Sequence, residues 1–67
     1  MLVVKEYIIG NVPREHIIGE AASLDAALDI VPGEVFLYEE DAEHPGHYDV
    51  AAIAEDMVRV YTITPSQ

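Results

Sequence analysis

The chain has 67 residues, with thirteen acidic side chains against three basic ones and no cysteine, so its formal net charge is -10. The missing cysteine excludes disulfides, thiolate metal sites and cysteine nucleophiles, and three bases cannot build the footprint that binds a phosphate backbone or an anionic membrane. An apolar content of 51 % still predicts a folded chain, and no apolar run approaches the ~20 residues of a membrane helix.

The first third of the chain predicts two paired strands. Residues 2–9 are rich in β-branched and aromatic side chains and contain no breaker, which favours a strand. Residues 10–13 carry the turn formers Gly10, Asn11 and Pro13. Residues 16–19 then predict a short second strand that pairs back on the first, with Gly19 at a bulge.

The middle of the chain carries the clearest helix signal, over residues 23–31. Leu24, Ala27, Leu28 and Val31 recur at the spacing of one helical face, and Ser23 precedes them as an N-cap. Residues 32–33, Pro-Gly, end the helix. The narrow stripe of apolar side chains predicts a helix that lies on a sheet.

A further strand is predicted over Glu34–Glu40, followed by a polar loop over residues 41–46. Strict alternation places Val35, Leu37 and Glu39 on one face of this strand, and Phe36, Tyr38 and Glu40 on the other.

The last third is ambiguous between a hairpin and a helix. We interpret Tyr48–Ala54 and residues 57–63 as a hairpin that turns at Glu55 and Asp56, because valine, tyrosine, threonine and isoleucine dominate the second segment. Glu-Asp is a poor sequence for a tight hairpin turn. A helical stripe is the alternative, formed by Val50, Ile53, Ala54, Met57, Val58 and Tyr61.

These elements predict a single α+β domain over residues 1–64 and a C-terminal tail over residues 65–67. The architecture is a single short helix packed on one face of a four- or five-stranded, mainly antiparallel sheet, in the order β-(β)-α-β-β-β. One short helix cannot cover a sheet that bears Tyr7, Phe36, Tyr38 and Tyr61. We therefore predict that these four side chains form an interface and that the protein is a homodimer, as its small size also suggests.

Chemistry-bearing residues are few. His44 and His47 flank Pro45 and Gly46 and are the candidate metal ligands, although zinc requires more convergent ligands than this pair supplies. No phosphate-binding glycine motif and no activated serine is present, and a domain this small rarely encloses a catalytic pocket. We expect no catalytic residues, no enzymatic activity and no cofactor.

The predicted function is that of a small, cytoplasmic, non-catalytic protein-interaction module that acts as a homodimer, without direct contact to nucleic acid or membrane. A basic protein is the favoured additional partner, because an acidic surface speeds encounter with positive patches. Two alternatives stay open. One is a nucleic-acid mimic that inhibits a basic DNA-binding protein, against which the bunching of Glu39, Glu40, Asp41 and Glu43 argues. The other is a metal-binding module built on His44 and His47.

Overall fold

The chain forms one antiparallel sheet with a helix on one face. The computed structural model describes residues 1–66. Its elements are β1 (Leu2–Ile8), β2 (Arg14–Ala21), α1 (Leu24–Ile30), β3 (Glu34–Glu40), β4 (Tyr48–Ala54) and β5 (Met57–Pro65). This is the predicted α+β architecture, with the second strand present and longer than expected.

The strands lie in the order β2-β1-β5-β4-β3, and every neighbouring pair is antiparallel. The first and last strands of the chain therefore pair at the centre of the sheet. β2 and β3 are its two edges, and α1 carries the chain from one edge to the other. Within residues 1–66, no helix is long and apolar enough to cross a membrane.

Helix α1 has the capping chemistry that the sequence predicts. The backbone N–H of Ala26 donates to Ser23 Oγ at 3.2 Å, and the N–H of Val31 donates to the Leu28 carbonyl at 3.2 Å. Gly33 then adopts a φ of 83°, where a Cβ would overlap the Ile53 carbonyl oxygen. Only glycine fits this position, which directs the chain into β3.

The core lies between α1 and the face of the sheet that α1 covers, here called the helix face. Side chains alternate along each strand, so one set from β1, β4 and β5 reaches this core. The buried residues of the cluster are Val4, Ala21, Ala27, Val31, Val50, Ala52, Tyr61 and Ile63. The helix packs on β1 and β2, and Gly19 permits its close approach: a Cβ there would lie 3.1 Å from Ile30 Cδ1.

The hairpin interpretation of the last third is confirmed and the helical alternative is wrong. β4 pairs with β5 along the full length of β4, from Tyr48 with Ile63 to Ala54 with Met57. The turn residues Glu55 and Asp56 have φ values of 53° and 62°, the left-handed geometry that a two-residue hairpin demands. Strand pairing thus imposes this turn on two residues that do not favour it.

Strand β5 also extends to Pro65, two residues beyond its predicted end at Ile63. The backbone N–H and the hydroxyl of Ser66 both donate to the Met1 carbonyl, at 2.8 and 3.1 Å. Residues 65–66 of the predicted tail are therefore joined to the sheet. Gln67, its last residue, lies outside the described residues.

Each edge strand contains an irregularity. In β2, Val4 pairs with Gly19 and Lys5 with Ile17, so the extra residue is Ile18, beside the glycine expected at a bulge. In β3, Val35 pairs with Ala52 and Leu37 with Ala51, so the extra residue is Phe36. The predicted alternation along β3 is consequently wrong, since Val35 lies on the helix face and Leu37 on the opposite face.

Candidate functional site

The sheet face opposite α1, here called the open face, is apolar over the half that lies toward the β4–β5 turn. No element of residues 1–66 covers it, because the only described helix lies on the other side. The strand register identifies the side chains of this face, because each belongs to the sequence neighbour of a residue on the helix face. The large apolar members exposed to solvent are Tyr7, Ile17, Leu37, Ile53 and Val58.

Charged side chains border this apolar area. Glu15 and Glu34 lie toward the β2 and β3 edges. Lys5 and Asp49 flank Thr62 and form a polar row across the middle of the face. Lys5 is the basic residue of the open face in the described chain, and its Nζ lies 3.7 Å from Glu15 Oε2. The open face therefore combines an apolar area toward one end with a predominantly acidic rim.

The β3 edge is the second exposed apolar feature. Phe36, Leu37 and Tyr38 are consecutive and are 57 %, 54 % and 53 % exposed. Together with Val35 and with Leu28 of the helix they line an open groove of about 430 Å³. The groove lies between β3 and α1, because Leu28 of the helix lines it together with the side chains of β3.

Three of the four predicted interface side chains lie at the surface. Tyr7 is on the open face, and Phe36 and Tyr38 line the β3 groove. Tyr61 is 1 % exposed in the core, where burial and, secondarily, the Glu6 carboxylate raise the pKa of its phenol above the usual value. Its side chain is inaccessible to a partner, so Tyr61 is a core residue and leaves the predicted interface set.

The predicted metal ligands lie in a hydrogen-bonded loop between β3 and β4. The loop is closed by the Asp41 N–H, which donates to the His47 carbonyl at 2.8 Å. The rings of His44 and His47 come together, with centroids 5.6 Å apart and planes tilted by 57°. His44 Nδ1 lies 3.0 Å from Asp41 Oδ2, a distance at which its N–H donates to the carboxylate.

The carboxylates of this loop have structural partners. Glu40 Oε2 accepts from the Gly46 N–H, and Asp41 Oδ1 accepts from the Glu43 N–H, each at 2.9 Å. The Glu43 N–H and then His44 lower the pKa of Asp41 below 3.8. Within residues 1–66, no group of three or more His, Cys, Asp or Glu side chains is placed to hold a metal ion. The two histidines alone are too few for a structural zinc site.

Sequence reasoning missed four exposed members of the open face: Ile17, Leu37, Ile53 and Val58. The hairpin register could have identified two of them, because pairing across the Glu55-Asp56 turn places Ile53 directly opposite Val58. Leu37 could not be assigned, since its face depends on the bulge at Phe36. The interface predicted from the sequence consists of aromatic side chains, whereas most of the exposed apolar side chains of the open face are aliphatic.

The chain was compared with protein-family models, with curated proteins and with solved structures, and none of the three comparisons found a match.

Proposed function

We propose that this protein is a non-catalytic protein-interaction module that acts as a homodimer, with the open face of one copy packed on that of a second. The observation that carries the proposal is the uncovered apolar area of the open face. Contiguous apolar surface of this kind marks an interface in a folded protein. We further propose that the module works in the cytoplasm, needs no metal or cofactor, and also meets a basic protein.

The dimensions of the open face support this proposal. Strands spaced about 4.8 Å apart and seven residues long at ~3.3 Å per residue give a five-stranded face of about 24 by 23 Å. Two such faces would remove about 1,100 Å² of surface from solvent, just above the ~1,000 Å² that a specific interface requires. The estimate supports a modest, reversible dimer.

The acidic rim opposes this association at low ionic strength. Two copies of a chain with a net charge of -10 repel each other, and salt screens this repulsion. We therefore expect both the dimer affinity and the thermal midpoint to rise as sodium chloride is added. A fall would indicate that the ion pairs of Lys5 and Arg59, with Glu15 and Glu6, outweigh the repulsion.

Sedimentation equilibrium with two adjacent lysine substitutions tests the dimer. Val58 and Met57 are neighbours in β5 and are 58 % and 56 % exposed, but Val58 lies on the open face and Met57 on the helix face. Val58→Lys buries a charge in the proposed interface and should abolish the dimer, whereas Met57→Lys should leave it intact. Circular dichroism confirms that both variants fold.

A wild-type protein that stays monomeric at hundreds of micromolar in moderate salt would refute the homodimer. A dimer that Met57→Lys disrupts and Val58→Lys preserves would place the interface elsewhere and refute the assignment to the open face.

The nucleic-acid mimic has weaker support. Glu40 and Asp41, which stand in the densest acidic cluster, accept hydrogen bonds from backbone groups of their own loop. A mimic needs carboxylates that are spaced along an exposed face like phosphates, and these are gathered at one end of β3.

A further inference from the structure

The β3 edge differs from the β2 edge in the pattern of its side chains. β2 begins with three consecutive charged or titratable side chains, Arg14, Glu15 and His16, and carries Glu20 near its end. Along β3, three consecutive exposed apolar residues stand between glutamates at both ends of the strand. Charges distributed along an edge discourage strand addition, and an uninterrupted apolar edge invites it.

The charge around the β3 groove has one sign. Glu34 stands at the start of the strand and Glu39 and Glu40 at its end, with Asp41 and Glu43 following in the loop. The three basic side chains of the protein, Lys5, Arg14 and Arg59, belong to β1, β2 and β5. An incoming strand therefore meets apolar side chains in its middle and carboxylates at its ends.

A second copy of β3 is a poor occupant for this edge. Antiparallel pairing about Leu37 would place Glu34 of each copy opposite Glu40 of the other, and Val35 opposite Glu39. Like charges directly opposite each other destabilise a strand pair.

We propose that the β3 edge binds a basic, extended segment of a partner protein, which adds to the sheet as a sixth strand. The segment carries β-branched or aromatic residues at its centre, against Phe36, Tyr38 and Leu28, and lysine or arginine toward its ends. Main-chain hydrogen bonds to the edge supply affinity, and the flanking carboxylates select the charge. This inference rests on the proposed role as an interaction module and names the class of partner that it takes.

The test uses a synthetic peptide with the sequence acetyl-Lys-Lys-Val-Thr-Val-Tyr-Val-Lys-Lys-amide, titrated into the isotope-labelled protein and followed by NMR. We expect the backbone amide signals of Glu34–Glu40 to shift and those of β2 to stay in place. Two control peptides separate the contributions: one has the lysines replaced by glutamates, and the other is N-methylated at alternate residues so that one edge cannot hydrogen-bond.

Matched protein variants locate the site. Phe36→Lys combined with Tyr38→Lys should weaken binding by at least about tenfold, because it removes apolar contacts and repels the lysines. His16→Lys, an exposed substitution on the β2 edge, should leave affinity within about twofold. Binding should also weaken as salt is added, opposite to the trend expected of the dimer.

The inference would be overturned by no binding at millimolar peptide, by equal binding of the N-methylated peptide, or by shifts confined to the loop over residues 41–47. The last two would mean charge attraction without strand addition. Loss of the dimer in the Phe36, Tyr38 variant would assign this edge to a second copy and would also overturn it. Sedimentation with Val58→Lys tests the homodimer independently of the peptide titration. A protein that stays monomeric and still binds the peptide would therefore refute only the homodimer.

Discussion

Both faces of the sheet carry apolar side chains, yet only one of them forms a core. Val50 on the helix face is 1 % exposed, whereas Val58 on the neighbouring strand and the opposite face is 58 % exposed. The helix α1 has seven residues and packs on the side of the sheet that holds Val50. Val58 also stands beside the β4–β5 turn, where Met57 on the helix face is 56 % exposed. Because successive side chains of a strand point to opposite faces, the sheet has apolar side chains on both faces, and one short helix can cover only one of them.

This comparison is the basis for proposing the open face as an interaction surface. A small domain gains little from one thin core, because it buries only about 60 % of the surface that its unfolded chain exposes. Keeping valine, isoleucine and tyrosine on the open face has no benefit for an isolated copy. The uncovered face is therefore best explained by an association that covers it.

The largest expected effect is on the free energy of unfolding and is tested at two valines, one on each face of the sheet. Val50→Ala should lower the free energy of unfolding by about 2–3 kcal/mol, because it leaves a cavity in a packed core. Val58→Ala should cost well under about 1 kcal/mol, because the side chain is already in solvent. Urea unfolding at protein concentrations low enough to keep the chain monomeric measures both values.

Changing the protein concentration extends the test of the same two valine variants to the dimer. When unfolding is repeated at concentrations that populate the dimer, the cost of Val58→Ala should grow, because partner burial adds to the stability of the folded state. Equal losses for the two variants in the dilute sample would mean that the two faces do not differ as described.

A second prediction concerns the close contact that lets α1 cover its face. Gly19→Val should cost about 1–3 kcal/mol, because its side chain would enter space held by Ile30, whose Cδ1 and Cγ2 lie 3.1 Å from a Cβ at this position. Gly10→Val, at a site with no atom within 4 Å of the added Cβ, should change stability by less than about 0.5 kcal/mol.

Chemical denaturation of the two glycine variants measures this difference. Adding Ile30→Ala to Gly19→Val should recover part of the loss, and a double-mutant cycle reports the coupling. Strictly additive losses would show that the cost at residue 19 has another origin than contact with the helix.

Much of this fold could be predicted from local patterns. The helix was found because Leu24, Ala27, Leu28 and Val31 share one face, and β3 and β4 were placed at their observed bounds. The hairpin was predicted from β-propensity despite Glu55 and Asp56. The positive φ values of these two residues show why turn sequence alone does not predict the hairpin. Pairing of the flanking strands, with Val50 opposite Tyr61, outweighs the local cost of the turn.

The surface was harder to predict, because it depends on register between strands that are distant in sequence. The bulge at Phe36 arises where β3 meets β4, and it moves Leu37 to the face opposite Val35. The sequence predicts Tyr61 at an interface because one short helix cannot cover four aromatic side chains. Its position on a central strand and on the helix face places it in the core instead. Residue type suggested an interface, and only topology decided which aromatic side chains could reach it.

A third, smaller effect is expected from a threonine of the open face. Thr62 Oγ1 is buried and has no hydrogen-bond partner among the described residues. Thr62→Val should therefore raise the free energy of unfolding by about 1 kcal/mol, because it removes an unpaired buried hydroxyl and preserves shape. Thr64→Val, on the same face of the same strand, is the control for strand propensity. A similar gain in both variants, measured by urea unfolding, would remove the special role of the Thr62 hydroxyl.

The smallest expected effect lies off both faces, at Asp41 in the β3–β4 loop. The backbone N–H of Glu43 and then His44 lower the pKa of Asp41 in the folded protein. A carboxyl group whose pKa is lowered by folding stabilises the folded state above its ordinary pKa, and this contribution disappears as pH falls through the folded value. The thermal midpoint of the wild type should therefore exceed that of Asp41→Asn at neutral pH, and the gap should close below pH 3.8.

Paired thermal melts from neutral to acid pH measure this gap between the two midpoints. The contributions of the other carboxylates cancel because both proteins share them. Solvent screening keeps the effect small, since the Asp41 side chain is 42 % exposed, and added salt should shrink it further. A gap that persists to the acid limit would mean that Asp41 acts through loop geometry, which asparagine fails to reproduce, and not through its charge.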